Sequence, residues 1–200
     1  MAKSSLRDED FINGMPFFGG RPWLDLLNTK FVLGNDHRDF VATPENLTRW
    51  LEAAGIAVPG TNLGQASRDA VELRETLRQA VDDLRLRETL SESILTNLNR
   101  WLDPVRLRFN LIQDENGLRL VESLDSETSG TMGAIVEDFA RFISEFEPAR
   151  LKHCSNPSCT MVFYDHGKNC TRRWCTMSIC GNRDKVARYR AKKAQSEDVA

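Results

Sequence analysis

Apolar residues recur three and four positions apart through much of the first 150 residues, the spacing of helices that bury one face. Leu47, Trp50 and Leu51 form one such stripe behind Thr43-Pro44, a capping hydroxyl followed by proline at the first helical position, and Gly55 ends it. Ala70, Leu73, Leu77, Val81 and Leu84 predict a long helix over residues 65–90. Ile94, Leu95, Leu98, Trp101 and Leu102 predict a helix that Ser91 can cap and Pro104 stops. Ile135, Val136, Phe139, Phe142, Ile143 and Phe146 predict one more around 131–147, terminated by Pro148. These stripes read as core rather than as a cofactor box.

Elsewhere the period falls to two. Val105, Leu107, Phe109 and Leu111 alternate with Arg106, Arg108 and Asn110; Asp114-Glu115-Asn116-Gly117 makes a turn; Leu118 and Leu120 resume the alternation. That is a β-hairpin signature. Upstream, Trp23, Leu24, Leu26 and Leu27 form a short buried segment, read as helix. Asp25, Asn28 and Thr29 interrupt it at i, i+3 and i+4, one helical face. They are either a buried capping network or the wall of a site for a small polar ligand. His37, between Asp36 and Arg38, reads as a solvated loop residue. No repeat, low-complexity segment, Gly-rich phosphate loop or Ser-His-Asp constellation is present, so nothing supports an enzyme.

Charge changes this picture. The 200 residues carry a formal net charge of −2, but residues 151–193 are at +8 and the remainder at −10. All five cysteines lie between 154 and 180. The asymmetry predicts an acidic, mostly helical domain over 1–149 and a basic, cysteine-bearing module over 150–200. Clustered thiols disfavour a secreted disulfide scaffold. The chain starts without an apolar leader and holds no membrane-length apolar run, so a cytoplasmic protein with no membrane partner is expected.

The cysteines form two Cys-x4-Cys pairs, Cys154/Cys159 and Cys175/Cys180, separated by fifteen residues. Two such knuckles around a hairpin-sized loop bring four thiolates together at small closure cost, and four sulfurs select one structural Zn²⁺. Such a site is closed to water, hence non-catalytic. Cys170, His153 and His166 are the candidates to replace a pair member; the symmetric set is preferred. Cys170 is then a free thiol near Lys168, Arg172 and Arg173. Met161–Tyr164 reads as a strand and residues 165–169 as a loop. Gly181 permits a tight turn, and Asn182 caps a basic helix running to about Ala194, with Val186 and Tyr189 toward a small core. Arg183 is placed to pair with Asp165 or brace the knuckle. The fold class expected is mainly α (α+β): a helical domain with one hairpin, then a treble-clef-like finger ending in a basic helix.

The run Arg172-Arg173-Trp174-Cys175-Thr176-Met177 with Cys180-Gly181-Asn182-Arg183 resembles the CGNR zinc-finger family, and Cys154, Cys159, Phe163 and Asp165 extend the likeness. Gly19-Gly20, Leu24-Asp25-Leu26-Leu27-Asn28-Thr29 and the helix bearing Trp50 resemble the ABATE domain, which accompanies that finger in bacterial proteins described as stress-induced transcription regulators. The resemblance implies a DNA-binding regulator whose zinc ligands are Cys154, Cys159, Cys175 and Cys180. Cys170 departs from the pattern, since a polar residue other than Cys is expected there.

A segment at +8 can neutralise phosphates and release counterions, and a basic helix can enter a major groove. The candidates for nucleic-acid contact are Arg172, Arg173, Arg183, Lys185, Arg188, Arg190, Lys192 and Lys193. Trp174, next to a ligand, reads as finger core rather than as a stacking platform. The expected partners are DNA, a small-molecule effector at the acidic domain and a second copy of the chain. The competing readings are RNA binding by the same module, a basic helix docked on the acidic domain, and a zinc-stabilised small-molecule-binding protein or enzyme using Asp25, Asn28 and Thr29.

Overall fold

The structure, a computed structural model, describes residues 11–33, 36–56 and 62–197, the side chains of 33, 36, 126, 191, 192 and 194–197 excepted. A two-residue pairing of β1 (Phe11–Ile12) with β2 (Met15–Pro16) leads into α1 (Pro22–Leu27), which lies at the centre of the body. Trp23, Leu24, Leu26 and Leu27 are fully buried there, and Trp23 meets Phe139 and Phe142 with ring centroids 5.1 and 4.9 Å apart. Burying each such side chain contributes roughly 1.5–3 kcal/mol, so α1 is held by packing and not by its own propensity. Around it lie α2 (Pro44–Ala53), α3 (Leu63–Arg87), α4 (Glu92–Leu102) and α5 (Ser126–Glu145). The Thr43 hydroxyl accepts the Asn46 N–H to start α2, and Gly55 at φ +67° follows its end, as the sequence pattern requires. α5 is two helical runs that meet at Gly130 (φ 68°, ψ 175°).

Three further antiparallel pairs complete the chain. β3 (Lys30–Leu33) and β4 (Asp36–Asp39) form a hairpin absent from the periodicity reading, and His37 is an exposed strand residue rather than a loop residue. Its anchor is Arg74, 1% exposed, whose guanidinium donates to both Asp39 carboxylate oxygens at 2.7 Å and to Thr29 Oγ1 at 3.0 Å. The Arg74 pairing holds the Asp39 carboxyl below its usual range, against the desolvation that would raise it.

β5 (Leu107–Asp114) and β6 (Gly117–Leu124) form the expected hairpin, with Asn110 opposite Val121 and Leu111 opposite Leu120. Most of its side chains are exposed, and Glu122 of β6 pairs with Arg141 of α5. Phe109, Leu111, Leu118 and Leu120 are 58–70% exposed. β7 (Leu151–His153) and β8 (Val162–Tyr164) make the last hairpin, followed by a π-turn over Met177–Gly181 and α6 (Asn182–Glu197).

The last hairpin is seated on the body. Leu151 and Val162 belong to the main apolar core, and the Asn28 side chain pairs with both backbone groups of Val162, at 2.9 and 3.0 Å. Phe31 of β3 is buried in the core beneath the cysteines, and Val32 and Thr160 exchange hydrogen bonds at 2.9 and 3.2 Å.

Candidate metal centre and nucleic-acid interface

Cys154 and Cys159 lie between β7 and β8; Cys175 precedes the π-turn and Cys180 lies within it. The turn places Cys180 at the root of α6, and Thr176 Oγ1 accepts the Ile179 N–H to start it. Gly181 sits tightly under two side chains: a Cβ there would lie 2.8 Å from Sδ of Met177, an exposed and flexible side chain that can shift, and 3.3 Å from Trp174 Cδ1. The four sulfurs lie within 4.8 Å of one another. Cys159 and Cys175 are 3.9 Å apart and Cys175 and Cys180 3.6 Å. A tetrahedron of sulfurs at ~2.3 Å from zinc has edges of about 3.8 Å, so the residues present fit the ion. With sulfurs this close, hydrogen bonds from Cys159, Cys175 and Cys180 favour a Cys154 thiolate and push its pKa down, while Cys154 pushes Cys159 and Cys175 up. A divalent cation removes that conflict by stabilising all four as thiolates. Nearby donors point at the sulfurs: the Cys175 N–H to Cys154 Sγ at 3.5 Å and Asn156 Nδ2 to Cys180 Sγ at 3.4 Å.

The excluded candidates have other partners. Cys170, at φ +49°, donates its thiol to Ala149 O at 3.5 Å. His153 Nε2 sits 3.4 Å from Asp82, and His166 packs its ring against Tyr164.

Lys152 and Asp165 brace the loop between β8 and the second cysteine pair. Asp165, 1% exposed, accepts from Lys152 Nζ at 2.9 Å and from the Gly167 and Arg172 N–H groups at 2.9 and 2.8 Å. The Lys152 ammonium is the largest influence holding its carboxyl at about 2. Asp165 therefore pairs with Lys152, not with Arg183, a partner that residue-type reasoning missed because β7 alone brings it near.

The basic candidates separate into two groups. Arg172 serves the finger itself: it donates to Trp174 O and Cys175 O, and its guanidinium lies 4.4 Å from the Phe163 ring centroid. Arg188 is held by Asp184 at 2.5 Å. Arg173 stacks on Trp174, whose half-buried indole walls both a cavity of 640 Å³ and one of 390 Å³. Arg183, Lys185, Arg190 and Lys193 are exposed on α6, while the Lys192 side chain lies outside the described residues. Val186 and Tyr189 do not face a core: they are 48% and 70% exposed. The finger interior is filled by Phe31, Met161, Phe163 and Ile179 instead, leaving α6 nothing to cover.

Asp25, Asn28 and Thr29 are buried, and each has internal partners. Asp25 Oδ1 accepts the Gly19 N–H at 2.6 Å, Asn28 holds Val162, and Thr29 donates to Leu26 O at 2.6 Å and accepts from Arg74. Burial raises the Asp25 carboxyl to about 6, opposed by N–H groups of the 18–21 loop.

With the fold and the sulfur cage in view, comparison with known families defines the class. The model described as "CGNR zinc finger" matches residues 150–193. The model described as "Putative stress-induced transcription regulator", the ABATE domain, matches residues 20–145, well over half the chain. The chain belongs to the ABATE family and carries a CGNR zinc finger with a single zinc site. Both families are described by regulation and metal binding rather than by a reaction. A search of the curated proteins finds no match. No described helix is long and apolar enough to cross a membrane.

Proposed function

We propose that this regulator binds duplex DNA through α6, with zinc fixing the helix root. The observation that supports it most is the exposure of α6: its described side chains from Arg183 to Arg190 face solvent, save half-buried Asp184, and the helix is not laid on the acidic body. Sixteen residues span about 24 Å, enough to cross a major groove of about 12 Å. Arg173, Arg183, Lys185, Arg190 and Lys193 are the contact residues, and Arg188 joins them by exchanging Asp184 for a phosphate. In this reading residues 150–200 are the DNA-binding module and residues 1–149 carry sensing and assembly. Asp25, Asn28 and Thr29 act as structural braces.

The test is a salt titration of binding to mixed-sequence duplex. Each phosphate contact adds about 0.9 to the slope of log K against log salt. Lys185→Glu with Arg190→Glu should abolish binding while leaving zinc content unchanged. Tighter binding to single-stranded RNA than to duplex would favour the RNA reading, and no binding to either at low salt would end both.

A second copy of the chain is the proposed cover for the β5–β6 hairpin. Leu107, Phe109 and Leu111 share a face with Leu118 and Leu120, interrupted by Gln113 and by Glu122, which pairs with Arg141, and a lone two-stranded sheet is marginal in water. Five side chains exposing roughly 100 Å² each would bury about 1,000 Å² in a symmetric pair, the threshold of a specific interface. The hairpin carries two Arg against three carboxylates, so two copies repel little. Leu111→Glu should shift a dimer to monomer in sedimentation equilibrium; a wild-type monomer at 100 µM would refute this.

A further inference from the structure

Helix α6 has two unlike edges. Asp184 and Ala187 line a cavity with Trp174 and the loop of the first cysteine pair, so that edge is turned to the finger. At about 100° per residue, Val186 and Tyr189 share the opposite edge, about 60° apart around the axis. They are 48% and 70% exposed, and the finger interior that could have taken them is filled by Phe31, Met161, Phe163 and Ile179. Exposed Lys185 flanks the pair on one side and exposed Arg190 on the other, each about 70° from its midline. Asp184, the one acidic residue between 182 and 193, lies on the far side, where it holds Arg188.

An apolar pair between two cations matches one kind of surface. A second copy of the chain laid on this edge would set like charges against each other. A duplex offers phosphates on both sides of the major groove and, on its floor, the one apolar group that base pairs present, the thymine C5-methyl. Side chains three apart on a helix stand about 5–6 Å from each other, and base pairs rise by about 3.4 Å, so the two reach neighbouring steps. We propose that Val186 and Tyr189 read thymine methyls on the floor of the groove, while Lys185 and Arg190 hold the phosphates on either side. This deepens the duplex-binding proposal and rests on it. It also favours DNA over RNA, because double-stranded RNA lacks the methyl and its major groove is too deep and narrow for side chains to read.

The experiment uses the full-length, zinc-loaded chain and short duplexes that differ by a methyl group at each base pair. Alternating A·T is compared with the same duplex carrying deoxyuridine for thymidine. Alternating G·C is compared with its 5-methylcytosine form, which places the methyl at the same ring position. Each buried methyl is worth about fourfold in affinity, so deoxyuridine should weaken binding about four- to fifteenfold, and methylation of cytosine should tighten it. The salt slope should be the same within each comparison, since the phosphate contacts do not change. Val186→Ser with Tyr189→Ser should lose both preferences, with zinc content and Tm unchanged, because both side chains face solvent in the free protein. Val186→Ile should keep them. Equal affinity of wild type for duplexes with and without the methyl overturns the readout and leaves duplex binding standing. A preference that survives the double variant overturns the assignment to these two residues. No binding to any duplex overturns both proposals. A dimer that the double variant abolishes, without any methyl preference, gives the pair to a second copy instead.

Discussion

The helical body and the finger close their interiors by different means. In the body, fully buried Trp23, Trp50, Leu26, Leu73, Leu77 and Phe139 pack around α1, and the apolar area removed from water is large. In the finger, the buried set is Phe31, Met161, Phe163 and Ile179 together with Cys154, Cys175 and Cys180, and Phe31 is lent by the body. So small an apolar core does not offset the entropy of ordering the long loop between the cysteine pairs, and a metal ion has to supply the difference. A domain with ample apolar area tolerates the loss of a polar contact; a domain built on four sulfurs does not tolerate the loss of one.

The sharpest way to break this contrast is to take the metal away. Chelation or Cys175→Ser should unfold the finger, because structural zinc contributes on the order of 10 kcal/mol, while the helical signal of the body persists. Circular dichroism with zinc analysis at one ion per chain checks this, and Cys170→Ser should change neither. The next effect is polar but belongs to the body. Arg74→Ala leaves Asp39 without its partner and should cost about 3–5 kcal/mol in urea unfolding.

A smaller effect comes from pH. Asp25 has a folded pKa of about 6, above the ordinary 3.8, because burial disfavours its charge. The folded state therefore holds the proton more tightly, and this contribution is complete below about pH 4 and lost as pH rises through 6. It is worth roughly 2–3 kcal/mol at about 1.4 kcal/mol per unit, and Asp25→Asn should remove that slope from the stability curve. The smallest effect joins the two regions. Asn28→Ala unpairs both backbone groups of Val162, should cost about 1–3 kcal/mol, and should weaken zinc retention in a chelator competition, since β8 carries the finger.

Helices α2, α3 and α4 and the β5–β6 hairpin were legible because their burial period or turn chemistry is local. The four cysteines were legible because their spacing is symmetric, and Cys170 stood apart for the same reason. The β3–β4 hairpin was not legible: its register depends on Asp39 meeting Arg74 across 35 residues, and no period carries that. The Lys152–Asp165 pair was hidden in the same way. Val186 and Tyr189 were placed inward by helical spacing, but spacing cannot say that the finger interior is already filled by Phe31 from the body. The hairpin's exposure was equally silent, since alternation predicts a covered face without naming its cover.

In the proposed function, zinc holds a basic helix out for DNA. Fluorescence anisotropy of a labelled duplex across a salt series, for wild type and for Lys185→Glu with Arg190→Glu, tests it most directly. Wild type should give a log–log slope of about −5, near 0.9 for each of the six contact residues, and neither the variant nor the chelated protein should bind measurably. Equal binding by wild type and variant, or none by zinc-loaded wild type at low salt, would contradict it.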